Sequence, residues 1–334
     1  CKEEDKYNGR GSAVNKVIGM LISPFPCCFC FLSNAMTSNI VSIGAHCNGG
    51  LKSAPEKALE IGAQAVQIFI GSPQSWKSPS PKDDEFKRFR QAIKENKLGP
   101  VCVHGTYLVN LASPVEDNYE KSINNLAIGL RMAEAAGADG LIFHPGSTRG
   151  RPYKEALQRV VRSIERVLDG YEGRCKLTLE VCAGAGNTIG ADFSQFGDIL
   201  RAMDFDSRLG VCLDTCHLYS AGYDIATKSG LERTLTEFEE HVGFEWLVAV
   251  HANDSKTPFN SGKDRHENIG EGSIGVKAFG RMLQVKELRT VPWILEVPGF
   301  EAKGPDRKNI EILRNLAKSK TKTKTKTKTK TRHD

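Results

Sequence analysis

Nine side chains of metal-binding type recur between residues 104 and 296. They are His104, His144, His217, His251 and His266, with Glu180, Asp214, Asp264 and Glu296. Imidazole and carboxylate together form the donor set that zinc takes when thiolates are absent. A zinc ion takes about four ligands, and a catalytic one keeps a position open for water or substrate. Nine candidates sharing a carboxylate therefore suit a cluster of two or three ions better than one. Each residue alone has a plainer explanation. A lone histidine near a strand end usually hydrogen-bonds within the core, Asp214 could cap the next turn, and Glu180 or Glu296 could pair with a buried arginine. The set is harder to dismiss, because burying four acids without cations would be costly.

Something must bring these residues together, and the hydrophobic pattern says what. Short β-branched runs appear at 40–43, 65–70, 101–104, 140–144, 177–181, 209–214, 247–251 and 293–297. Amphipathic stretches lie between them, as at 54–62, 83–97, 118–137, 153–168 and 230–241, with apolar residues at spacings of three and four such as Leu126, Leu130 and Ala133. Near-continuous apolar strands alternating with helices predict a parallel sheet covered by helices. Eight such units predict a closed (β/α)8 TIM barrel of the α/β class. No GxGxxG follows the first run, so a dinucleotide fold loses support. In such barrels the active site lies at the C-terminal ends of the strands. There the sequence places His104, His144, Glu180, Asp214, His251 and Glu296, one on each of six consecutive strands. His217 and the Asp264–His266 pair follow in adjoining loops.

The chain has 334 residues, enough for a barrel of roughly 250, and 40% are hydrophobic. Its formal charge of +6 is misleading. Residues 318–334 hold seven lysines, one arginine and one aspartate, which leaves residues 1–317 at −1. A cluster of two or three divalent ions would make this nearly neutral part positive. Cys102, Cys175, Cys182 and Cys212 lie in or beside apolar runs, where a free thiol behaves as a small hydrophobe. The two CxxC pairs of a cysteine zinc ribbon are absent, and a reducing compartment is expected. Three domains follow: an extension over 1–38, the barrel over 39–317, and a Lys-Thr tail over 318–334 expected to be disordered. Residues 17–32 are apolar after Lys16, but too short and broken to span a membrane, for which about 20 residues are needed. They could form a targeting presequence, which would make the chain mitochondrial, although Glu3, Glu4 and Asp5 argue against it. Met36 is an alternative start. The basic tail could serve nuclear import, phosphate binding or mere solubility. The compartments in view are therefore nuclear or cytoplasmic, with mitochondrial as the presequence reading.

Seven segments, spread over 43–299, carry a resemblance. They read IGAHCNGGL at 43–51, HGTYLVNLASP at 104–114, FHPGS at 143–147, LEVCAGAGNTIG at 179–190, GVCLDTCH at 210–217, HANDSKTPFNSGKDRHENIGEG at 251–272 and ILEVPG at 294–299. Together they resemble the endonuclease IV family of abasic-site endonucleases over roughly 40–317. The resemblance implies three Zn²⁺ ions per chain, with Mn²⁺ as the alternative at one site. His104, His144 and Glu180 would hold the first. Glu180 would bridge to a second, also held by Asp214, His251 and Glu296, and His217, Asp264 and His266 would hold the third. Glu180 and Glu296 would carry the catalytic role. A water shared by two ions, its pKa lowered from 15.7 to about 7, would supply a hydroxide that attacks the phosphorus 5′ to an abasic sugar in double-stranded DNA. The products would be a 3′-hydroxyl and a 5′-deoxyribose phosphate. Tyr107 and Leu108 would wedge into the base stack. In GSPQSW (71–76) this chain has Gln74 where the family often has arginine, which removes a charge and a planar stacking group from damage recognition. A monomer with no membrane association is expected.

The main rival reading is a divalent-metal sugar isomerase or epimerase on the same barrel. It would use Glu180, Asp214, His251 and Glu296 alone, without the other five ligands or a stack-inserting Tyr107–Leu108 pair. A non-enzymatic DNA-binding module relying on the tail is the third.

Overall fold

A computed structural model describes residues 41–319. The extension over 1–38 and nearly all of the Lys-Thr tail lie outside the described residues. Eight parallel strands close into a barrel: β1 (Ile43–His46), β2 (Val66–Ile68), β3 (Val101–His104), β4 (Gly140–Phe143), β5 (Lys176–Glu180), β6 (Leu209–Asp214), β7 (Leu247–His251) and, after a short hairpin of β8 (Asp254–Ser255) and β9 (His266–Glu267), β10 (Trp293–Leu295). Each strand pairs with its sequence neighbours, and β10 closes the ring onto β1 through Ile43–Trp293 and Ala45–Leu295. The closed (β/α)8 barrel predicted from the alternating pattern is the fold.

Helices α1 (Gly50–Ile61), α2 (Asp83–Glu95), α3 (Glu116–Ala136), α4 (Tyr153–Leu168), α5 (Phe193–Ala202), α6 (Thr215–Ala221), α7 (Lys228–His241), α8 (Val276–Met282) and α9 (Arg307–Lys318) fill the connections. Each buries one stripe, as α4 does with Ala156, Val160, Ile164, Val167 and Leu168, the spacing an amphipathic helix requires. The last helix seals the ring against the first: Arg314 donates to the Gly62 carbonyl at 2.6 Å. Among the described residues no helix is long and apolar enough to cross a membrane.

The bore is narrow and filled by small groups. Cys102, Ile142, Cys212, Ala249 and Ile294 form a cluster of their own, separate from the larger core between strands and helices. Below it, a β-bulge between Val211 and Cys212 shifts the β6–β7 register. Val248 there fills the space over two glycines: a Cβ on Gly210 would come within 2.4 Å of it and one on Gly140 within 3.0 Å. All six described cysteines are free and buried, in keeping with the reading of Cys102, Cys175, Cys182 and Cys212 as small hydrophobes.

The strand positions differ from expectation most at the start. The sequence suggests 40–43, yet β1 runs from Ile43 to His46. Gly44 and Ala45 have weak strand propensity, but a Cβ on Gly44 would stand 2.2 Å from the Ala65 carbonyl. Close strand approach demands the small residue and overrides propensity.

Candidate metal centre

Successive side chains of a strand alternate between the bore and the helices. Each polar group at the mouth therefore stands two residues beyond a member of the inner layer. His104 follows Cys102, His144 follows Ile142, Glu180 follows Thr178, Asp214 follows Cys212, His251 follows Ala249 and Glu296 follows Ile294. This spacing turns six apolar strands into a ring of donors at one rim.

Glu180 stands at the centre and is buried. Its Oε2 lies 3.1 Å from both His104 Nε2 and His144 Nε2. Its Oε1 lies 2.9 Å from His251 Nδ1 and 3.4 Å from His217 Nδ1. The two oxygens thus face different imidazole pairs. Two donor groups meet at this carboxylate, His104–His144–Glu180 and Glu180–Asp214–His251–Glu296, each with ligand atoms within 4.8 Å of one another.

Asp214 both caps a helix and joins the donor groups. Its Oδ1 accepts from the His217 backbone N–H at 2.8 Å, which starts α6 and sets His217 on its first turn. Its Oδ2 accepts from Asn253 Nδ2 at 2.7 Å and lies 3.6 Å from His266 Nε2 and 3.9 Å from His251 Nδ1. Capping α6 and membership of the donor group are compatible in one side chain.

The remaining ligand types sit on the β8–β9 connection. Asp254, fully buried, accepts from the backbone N–H groups of Ser255, Gly270 and Ile274, at 2.8, 2.9 and 2.9 Å, and holds the segment after β9 to β8. The connection itself is tied to α6 by the Ser220 hydroxyl, which donates to the Lys263 carbonyl at 2.8 Å. Asp264 then reaches His266 Nε2 at 3.1 Å and His217 Nε2 at 3.3 Å. The grouping expected from sequence, His217–Asp264–His266, is drawn together, and two neighbours join it. Asp214 clusters with His217 and His266, and Cys216 with Asp264 and His266.

The buried imidazoles test whether cations suit this centre. The Nε2 atoms of His46, His144, His217 and His266 are buried without a well-directed hydrogen bond, those of His144, His217 and His266 standing 3.1 to 3.3 Å from the carboxylates of Glu180 and Asp264 instead. Buried polar atoms are rarely left so, and here they converge with carboxylates in the geometry of a donor set. Without cations the acids must be balanced by protons. Burial alone would hold His217 and His251 neutral, yet the surrounding acids, with the Cys212 thiol beside His251, push both well above the ordinary histidine range. The imidazoles in turn hold Glu180 well below the carboxylate range, against the effect of burial.

A family profile described as a xylose isomerase-like TIM barrel matches residues 55–316. The probable endonuclease 4 of Halothermothrix orenii is 38% identical over 274 residues, covering 81% of this chain and 99% of the relative. The chain belongs to the endonuclease IV family. The solved structure of endonuclease IV from Thermus thermophilus aligns with a TM-score of 0.72 at 34% identity, over 82% of this chain and 98% of that one. A D-tagatose 3-epimerase-like protein aligns with a TM-score of 0.63 at 20% identity, over 82% of this chain and 96% of that one. That likeness is one of fold.

Two residues of this endonuclease IV chain escape the sequence reading. His46 and Gln67 complete the ring on β1 and β2: His46 lies 3.6 Å from Glu296 Oε1, and Gln67 donates to the same oxygen at 2.6 Å. The two-residue step from Gly44 and Ala65 marks both as facing the bore, but that step is visible only once β1 is placed three residues later than the β-branched run suggests.

Acidity gives a test of the cluster. In the metal-free chain burial works against a charged His266, but Asp214 and Asp264 prevail and its pKa is pushed from 6.5 up to about 9. The folded chain then keeps a proton that the unfolded chain loses between these values. That stability is complete below about 6.5 and disappears as pH rises through about 9. Chelated protein is expected to lose on the order of 5 °C in Tm across this interval, whereas zinc-loaded protein stays level. Thermal scans of both forms check this, and a chelated chain that gains stability towards pH 9 would contradict it.

Proposed function

We propose that this chain is a DNA-repair endonuclease that hydrolyses the phosphodiester 5′ to abasic sites, leaving a 3′-hydroxyl and a 5′-deoxyribose phosphate. The observation that carries this reading is the convergence of nine imidazole and carboxylate groups at one rim, with buried imidazole nitrogens that make no well-directed hydrogen bond. His104, His144 and Glu180 would hold one zinc ion, Glu180, Asp214, His251 and Glu296 a second, and His217, Asp264 and His266 a third, with Mn²⁺ an alternative at one of them. Ions there would supply a water-derived nucleophile near neutral pH and positive charge for the phosphate and the departing oxygen.

The protein's own groups do the rest. Glu180, with one oxygen towards each imidazole pair, sets the spacing of the first two groups. Glu296 takes its position from Gln67 on its carboxylate and from the Asn253 amide oxygen, which accepts its backbone N–H at 2.9 Å. No protonated side chain is needed to release the leaving oxygen.

Recognition would fall to the loops after β2 and β3. Tyr107 is 57% and Leu108 37% exposed, beside His104 at the mouth. Phe69 packs edge-on against the Tyr107 ring at 5.5 Å, and the Tyr107 N–H donates to the Pro73 carbonyl at 3.0 Å. That bond ties the segment carrying Gln74, itself exposed, to the wedge. An exposed aromatic held this firmly suits insertion into a stack already missing a base, where opening the duplex costs least. Tyr107→Ala is expected to weaken binding to an abasic duplex about tenfold, since loss of base stacking costs roughly 1–3 kcal/mol, with zinc content unchanged. Equal affinities in a fluorescence-anisotropy titration would remove Tyr107 from recognition.

The deciding experiment is nicking of a duplex with one tetrahydrofuran abasic analogue by zinc-replete protein without added magnesium. Cleavage 5′ to the analogue with a 3′-hydroxyl end is expected. No cleavage, with epimerisation of a ketose instead, would favour the sugar-epimerase reading, which needs only Glu180, Asp214, His251 and Glu296.

A further inference from the structure

Gln67 lies in the middle of β2, fully buried, between the apolar Val66 and Ile68. A primary amide in such a place is costly unless its hydrogen bonds are made. Here they are made to the metal centre. Nε2 donates to Glu296 Oε1 at 2.6 Å and lies 3.1 Å from His46 Nδ1, and Oε1 lies 2.8 Å from His251 Nε2. A carboxylate can only accept, so the amide nitrogen must face Glu296 and the amide oxygen must face His251. The His251 Nε2 atom therefore carries a proton. A cation in this group would take the place of the proton that the surrounding acids otherwise hold on His251, leaving Nε2–H as its one N–H and Nδ1, which lies 2.9 Å from Glu180 Oε1 and 3.3 Å from Glu296 Oε2, as the nitrogen offered to the ion. The same amide occupies Glu296 Oε1 and turns Oε2 inward.

We propose that Gln67 is a positioning residue for the metal centre, selecting by one amide both the His251 nitrogen and the Glu296 oxygen offered to a cation. This rests on the reading that Glu180, Asp214, His251 and Glu296 hold an ion. Gln67 would itself touch neither cation nor DNA. Partners behind a ligating imidazole fix its tautomer and orientation, and losing them typically weakens metal binding about 10–100-fold.

The test uses the full chain, stripped by chelation and titrated with Zn²⁺ against a chromophoric chelator, with metal counted per chain. Gln67→Leu preserves the volume and removes the hydrogen bonds. It is expected to keep the circular dichroism of the parent, bind one of its ions about 10–100-fold more weakly, and leave the others unchanged. In ¹⁵N-histidine spectra of the zinc-loaded parent, the His251 Nε2–H should appear as a slowly exchanging ring proton, absent from Gln67→Leu. Gln67→Glu, which keeps shape and polarity but sets a carboxylate against Glu296, should weaken the same ion and decides the matter if the leucine variant does not fold. Parental zinc affinity in the folded leucine variant, or in the glutamate variant if leucine fails, would overturn the proposal. A parent chain that takes up no zinc would instead overturn the metal-centre reading beneath it.

Discussion

Glu180→Gln is expected to lower abasic-site nicking by about 10³-fold or more, the scale lost when a preorganised electrostatic group is removed from an active site. The substitution preserves shape, and the residue is almost fully buried, so the barrel should form. What changes is the donor set. Each carboxylate oxygen now faces imidazole nitrogens at 2.9 to 3.4 Å. An amide would replace one oxygen with an NH2 group that cannot bind a cation and that aims N–H bonds into the place where one belongs. Two donor groups share this residue, so the variant should also hold fewer zinc ions than the parent. Turnover on a tetrahydrofuran duplex and zinc per chain, measured on one preparation, settle the matter. Full turnover in the variant would remove Glu180 from the reaction.

Stripping the metal should be as damaging and, unlike the mutation, reversible. Prolonged chelation is expected to abolish nicking and lower Tm, and zinc to restore both. An ion present at 1,000 times its Kd stabilises the folded state by about 4.1 kcal/mol, which for a domain of this size corresponds to a shift of about 10 °C. Magnesium should restore neither, because it prefers an octahedron of oxygens and the rim is rich in imidazole. Nicking and thermal scans before chelation, after it and after zinc addition give the answer. A stripped chain that nicks at the parental rate would show that the cluster works without cations.

Much of this was legible in the sequence, for identifiable reasons. The barrel follows from eight apolar runs that alternate with amphipathic ones, and β3, β6 and β7 begin and end where the pattern puts them. The six strand-borne donors were legible because each breaks an apolar run with a group that is costly to bury. The others show where that logic ends. His46 follows Gly44 and Ala45, whose strand conformation is dictated by the closeness of neighbouring backbone rather than by propensity. Gln67 is uncharged, so nothing in its residue type signals a site, and its importance lies entirely in partners 184 and 229 residues away. The joining of Asp214 and Cys216 to the His217–Asp264–His266 set depends on a loop tied to α6 through Ser220 and Lys263, a long-range arrangement that residue spacing does not encode.

The two-residue step from inner layer to rim also governs which changes in length the gene can tolerate. One codon inserted within β5 or β6, upstream of Glu180 or Asp214, would turn that acid out towards the helices and an aliphatic neighbour into the mouth. The same codon beside the exposed Arg149 and Gly150 would only lengthen a surface turn. Natural and laboratory indels should therefore collect in the connections and spare the staves, even in variants whose thermal stability is untouched.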